Sequence, residues 1–153
     1  MQIQLKGLDD IKDTLDELEQ KTTDLKPLLR ELANHLVNVT QESFENEVSP
    51  DGTDWSPIKF RKSDKTPTKI LYDRGHLQKT LYSRVYKNSF TVGINATVND
   101  YQYPLVHQFG SLDGTTKARP FMPIKVDGEL YEDTKKELDE IVSDYFEIMG
   151  LKK

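Results

Sequence analysis

The chain has 153 residues, no cysteine, 35% hydrophobic and 31% charged side chains, and a formal net charge of −5. That length suits one domain with a modest core, and the lack of cysteine excludes disulfides and thiolate sites and suits a reducing cytoplasm. The first ten residues lack a basic region followed by an apolar run, and no apolar run approaches the roughly 18 residues that cross a bilayer, so neither a secretory signal nor a membrane span is expected.

The elements follow in chain order. Ile3 and Leu5 alternate with Gln2, Gln4 and Lys6, which predicts a short edge strand ending at Gly7. Leu8, Ile11, Leu15 and Leu18 then recur at helical spacing and predict a helix over about 8–20, with Asp9 and Asp10 in its first turn. Asp16, Glu17 and Glu19 read as its solvated face. Thr22, Thr23 and Asp24 supply a new cap, and Pro27 suits a first turn. From Leu25 through Leu28, Leu29, Leu32, Leu36, Val39 and Phe44 one apolar face runs to about Glu47, where Ser49-Pro50-Asp51-Gly52 stops a long second helix.

Residues 49–69 lose all hydrophobic period and carry prolines at 50, 57 and 67, with Trp55 standing alone. A loop of that length inside a compact domain is usually functional or partly disordered. Order resumes at Ile70-Leu71-Tyr72, turns at Asp73-Arg74-Gly75 and enters a short helix bearing Leu77 and Leu81. Tyr82, Arg84 and Tyr86 alternate with Ser83, Val85 and Lys87, and after Asn88-Ser89 the residues Phe90, Val92 and Ile94 alternate again, which predicts a β-hairpin. Residues 100–109 predict a short helix closed by Gly110. Phe121, Ile124 and Val126 predict a last strand, and 128–149 a terminal helix buried through Leu130, Leu138, Ile141, Val142, Tyr145, Phe146 and Met149. The expected fold class is therefore α+β, a small and mainly antiparallel sheet with N-terminal helices, one of them long, and a C-terminal helix, all in one domain over 1–153.

Charge is distributed unevenly along this order. Residues 1–54 carry five basic and thirteen acidic side chains, 55–90 carry nine and two, and 91–153 carry seven and eleven. A basic middle between acidic ends is either a counterweight to the acidic helices or a contact surface for an acidic partner or nucleic acid. Trp55, Phe60, Tyr72, Tyr82 and Tyr86 interleave with its lysines and arginines, as in single-strand binders, which keeps a nucleic-acid-binding module using 55–90 as the alternative reading.

Chemistry is sparse. His35, His76 and His107 lie far apart, and none has a second histidine or a carboxylate at ligand spacing within a motif. His107 has no recognisable nucleophile or carboxylate partner for general-base work. Phosphate loops, G-x-S-x-G elbows and HExxH helices are absent from the sequence. No cofactor is expected.

Several landmarks stand in a particular order: Phe44, Pro50-Asp51-Gly52 and Trp55-Ser56-Pro57; then a basic spacer and Ile70 to Leu77; then Val92-Gly93-Ile94; then Tyr103 to Gly110 and Ala118-Arg119-Pro120-Phe121. Over about 30–125 this order resembles the phage virion morphogenesis family, the tail-completion proteins of Mu-like contractile-tailed phages. The chain departs at Pro104, where members usually carry a small residue. The resemblance implies a non-enzymatic virion component of a phage or prophage, made in the host cytoplasm, that completes the tail or joins it to the head. It implies other tail or connector proteins as partners and a homo-oligomer, such as a ring, in place of a nucleic-acid or membrane partner. Rings need one patch to meet a different patch on the neighbour. The residues expected at such contacts are Trp55, Lys59, Arg61, Lys62, Lys65, Lys69, Tyr103, His107, Gln108, Lys117 and Arg119, with Phe109 and Phe121 as packed residues and 111–117 as the exposed loop.

Overall fold

The computed structural model describes residues 24–58, 69–72 and 75–150, together with Asp13 and Asp16, which are helical and exposed. The strand expected at 3–5, most of the helix expected at 8–20 and the basic residues Lys59, Arg61, Lys62 and Lys65 lie outside the described residues. The fold is α+β, as the hydrophobic periods predict. Its elements are α1 (Lys26–Asn46), α2 (His76–Lys79), β1 (Leu81–Val85), β2 (Phe90–Ile94), α3 (Tyr103–Phe109) and α4 (Glu132–Ile148).

Helix α1 organises the core. Pro27 sits in its first turn, where no backbone N–H is needed, and the Asp24 carboxylate accepts from the Lys26 N–H at 3.0 Å. Its dipole is poorly compensated, with no acidic residue in the first turn and no basic one in the last. Each such charge would contribute only about 0.3–1 kcal/mol. Burial decides instead: Leu28, Leu29, Leu32 and Leu36 are all buried, each stabilising by about 1.5–3 kcal/mol. The helix stops at Glu47, a non-glycine residue in the left-handed region, while the Val48 N–H bonds back to the Ser43 carbonyl.

β1 and β2 form an antiparallel hairpin in the register Leu81↔Ile94 through Val85↔Phe90. This register gathers Leu81, Val85, Phe90, Val92 and Ile94 on one face, which packs into the core, and puts Tyr82, Arg84, Tyr86 and Thr91 on the other. Leu81 belongs to β1 rather than to the preceding helix, because α2 is a single turn. Helix α1 packs against the hairpin and against α4. A 2.9 Å hydrogen bond between His35 Nε2 and Glu137 Oε2 also spans α1 and α4.

Two expectations at the C-terminal side are corrected. Phe121, Ile124 and Val126 do not form a ladder strand; only an isolated Ile124↔Leu130 bridge forms, around a turn in which Val126 is 85% exposed. Helix α4 starts at Glu132, after that turn, and Met149 lies at its exposed end rather than in the core. Within the described residues no helix is long and apolar enough to cross a membrane.

Candidate functional site

Helix α3 holds the first piece of the site. Pro104 lies in its first turn, so the departure at this position fits the backbone, and Gly110 ends it at φ 82°. An added Cβ at Gly110 would sit 3.1 Å from the Thr116 carbonyl, so both the backbone angle and the close approach favour glycine there. One buried polar side chain points inward from α3. Gln108 is 1% exposed; its Nε2 donates to the carbonyls of Met122 at 2.9 Å and Ile124 at 3.0 Å, and its Oε1 accepts from the N–H groups of Phe121 and Met122 at 3.0 Å each. Both amide N–H bonds and both oxygen lone pairs are thus used. The Gln108 side chain thus bonds backbone groups of Phe121, Met122 and Ile124, a segment that bends at Met122 and Pro123 and joins no ladder.

The second piece ties two distant segments together. Trp55 is buried against Phe44 in an edge-on contact, and Phe44 in turn stacks on Phe121 at 5.1 Å. The Trp55 indole N–H donates to the Pro120 carbonyl at 2.8 Å. In return Arg119 Nε donates to the Ser56 carbonyl at 2.8 Å and Nη2 to the Pro57 carbonyl at 3.2 Å. The Arg119 backbone N–H donates to the His107 carbonyl at 2.7 Å. Trp55-Ser56-Pro57 and Arg119-Pro120-Phe121 are therefore one reciprocal clasp, seated beside α3.

Trp55 is brought to the clasp by a tight turn. Ser49 N–H bonds to the Thr53 carbonyl at 2.7 Å, Thr53 N–H to Asp51 Oδ1 at 3.0 Å, and Trp55 N–H to the Glu47 carbonyl at 3.0 Å. Residues 48–55 thus reverse direction directly behind α1, so the expected polar loop begins as an ordered turn.

His107 sits at the edge of the clasp, edge-on to the Tyr103 ring at 6.0 Å. Its Nδ1 is buried without a hydrogen-bond partner. Burial, and then the Arg119 guanidinium, hold its pKa below the usual histidine value, so the ring is neutral at pH 7. No acid–base partner stands beside it among the described residues.

The third piece is the loop that connects α3 to Arg119. Ser111 Oγ donates to Asp113 Oδ1 at 2.6 Å and accepts from the Thr116 N–H at 2.8 Å. The Thr115 N–H and hydroxyl both reach Asp113 Oδ1, at 3.0 and 2.8 Å, and the Ser111 N–H donates to the Thr116 carbonyl at 3.0 Å. These bonds lower the Asp113 pKa to about 2, with the Ser111 hydroxyl the largest cause. The loop expected to be exposed at 111–117 is a hydrogen-bonded knot, and it holds Leu112 at its tip fully in solvent.

The expected contact residues divide accordingly. Trp55 and Gln108 are interior, with their polar atoms bonded within the chain. Arg119 uses Nε and Nη2 on its own chain. Tyr103 and His107 are half-buried, and Tyr103 packs on the core. Lys117 is exposed, and Lys69 is exposed with its Nζ 3.3 Å from the Glu45 carbonyl. Lys59, Arg61, Lys62 and Lys65 fall outside the described residues. Sequence reasoning missed Ser111, Asp113 and Thr115, although an Asp-Gly-Thr step after a serine is the signature of such a side-chain-closed turn.

Other features carry less. A shallow groove of about 360 Å³ lies along α1, lined by Pro27, Arg30, Asn34, His35, Asn38 and Ile141, and shares no residue with the clasp. Among the described residues no cluster of three or more metal-ligating side chains occurs.

The site is a polar framework that binds its own backbone and shapes a surface loop. The chain belongs to the phage virion morphogenesis family, which residues 7–147 match. It is also 27% identical, over 97% of its length and 98% of the relative's, to a Haemophilus influenzae protein named Mu-like prophage FluMu G protein 2. No solved structure matches this chain.

Proposed function

We propose that this protein is a non-enzymatic assembly protein that completes the phage tail or joins the tail to the head, acting as a homo-oligomer in contact with other tail or connector proteins. The observation that carries this reading is the family match over 7–147, supported by the near full-length similarity to a protein of a Mu-like prophage. The clasp fits the role. It holds a shaped loop against α3, and a contact surface that is already ordered loses less conformational entropy on docking. The exposed Leu112 and Lys117 of that loop are its contact residues, with Lys69 and the basic spacer as a second patch. The protein is made in the host cytoplasm and ends in the virion. Electron microscopy of particles assembled without it tests the role: free heads beside tails of wrong or unstable length are expected, and normal infectious virions would contradict it.

A further inference from the structure

The hairpin carries a surface that the clasp does not use. Between Gly75 and Asn99 the chain has Lys79, Arg84 and Lys87 but no aspartate or glutamate, in a protein with 26 acidic residues. The β1–β2 register places Tyr82, Arg84 and Tyr86 on the face turned away from the core. Arg84 and Lys87 are exposed and Tyr86 is 49% exposed, while the Arg84 guanidinium lies over the Tyr82 ring at 5.5 Å. Neither Arg84 nor Lys87 has an ion-pair partner among the described residues. Aromatic rings and arginine together are the residue types that anchor protein contacts.

The same molecule carries the complement. On α4 the residues Asp133, Glu137, Glu140, Asp144 and Glu147 recur at spacings of three and four, so they form one stripe, and all are exposed. Glu137 is held by His35, and Lys136 lies beside the stripe, but Asp133, Glu140, Asp144 and Glu147 make no ion pair among the described residues. The stripe runs about 21 Å along the helix. The hairpin face from Tyr82 to Tyr86 is about 14 Å long, so it fits within the stripe.

We infer that the outer face of the hairpin, through Tyr82, Arg84 and Tyr86, with the exposed Lys87 of the adjoining turn, docks on the acidic stripe of α4 in a second copy of this chain. This deepens the self-assembly part of the proposed function and rests on it. The contact is heterologous: a basic, aromatic sheet face meets an acidic helix face, and each copy has one of each, so copies can add head to tail into a ring. Opposite charges at the rim of the contact fix its register and disfavour the wrong pairing.

Sedimentation velocity of the full chain over a concentration series tests this with charge reversals at exposed positions, each variant first checked for a wild-type thermal melt. R84E/K87E alone and E140K/D144K alone should each weaken self-association at least about tenfold. An equimolar mixture of the two should assemble again, because every hairpin then finds an oppositely charged helix. If the wild type assembles but both variants assemble equally well, or the mixture stays dissociated, the hairpin–helix contact is wrong while self-assembly stands. If the wild type remains monomeric at every concentration, self-assembly itself fails and the contact with it. A low-salt gel shift with duplex and single-stranded oligonucleotides supplies the remaining outcome. DNA binding that R84E/K87E abolishes, with no change in self-association, would make the face a nucleic-acid site and overturn the inference.

Discussion

The corner formed by α3, Trp55 and Arg119 and the outer faces of the hairpin and α4 are built on opposite terms. In the corner polar groups point at the chain's own backbone: Gln108 makes four such hydrogen bonds, and Trp55 and Arg119 add three. On the outer faces Arg84, Lys87, Glu140 and Asp144 point at solvent without ion-pair partners among the described residues. Buried polar groups are expensive to leave unsatisfied, whereas exposed charges contribute little to stability. Residues that look like a site in the sequence can therefore be framework, and the surface that acts can look unremarkable.

The comparison breaks if changes in the corner leave the fold intact. Trp55→Ala should lower unfolding stability by about 3–5 kcal/mol in urea titration, because it empties a site against Phe44 and frees the Pro120 carbonyl. Trp55→Phe keeps an aromatic ring beside Phe44 but loses volume and the donor to the Pro120 carbonyl, so it should cost less than Trp55→Ala, about 1–3 kcal/mol. Gly110→Ala should lose about 1–2 kcal/mol, from strain at φ 82° and the approach to Thr116.

Smaller effects sharpen it. Arg119→Met removes the cation that lowers the His107 pKa, so an NMR titration should find that pKa higher than in the wild type yet still below 6.5, because burial is the larger cause. In the wild type, the stabilisation from a neutral His107 is fully present above pH 6.5. It is lost as pH falls through the lowered folded value, because the unfolded chain takes up the proton first. A wild-type pKa at or above 6.5 would contradict the burial of Nδ1. Smallest of all for stability, Leu112→Asp should change the melt by less than about 0.5 kcal/mol, since the side chain touches only solvent. The same variant should reduce recovery of complete virions in a complementation assay.

How much of this was legible in the sequence follows from where each signal is written. The period of Leu28, Leu32 and Leu36 marks α1, and the alternation around Asn88-Ser89 marks the hairpin, because burial of one face imposes both patterns. The 121–126 segment misled because its alternating apolar residues suit a strand, while here they lie on a bent segment bonded by a side chain, and no local pattern says that Gln108 supplies those bonds. The order of landmarks pointed to the family, but it could not say that Trp55-Ser56-Pro57 and Arg119-Pro120 clasp each other across more than sixty residues. Exposure of Arg84 and of the α4 carboxylates follows from helix and strand periods, while their lack of ion-pair partners required the tertiary structure.

The separation of framework from surface is tested most directly at Gln108. Urea unfolding of Gln108→Leu, measured beside the wild type at equal concentration, should show a loss of about 3 kcal/mol or more, since two carbonyls and two N–H groups lose their partner in the interior. Wild-type stability in that variant, accompanied by failed assembly, would make Gln108 a contact residue and contradict the account.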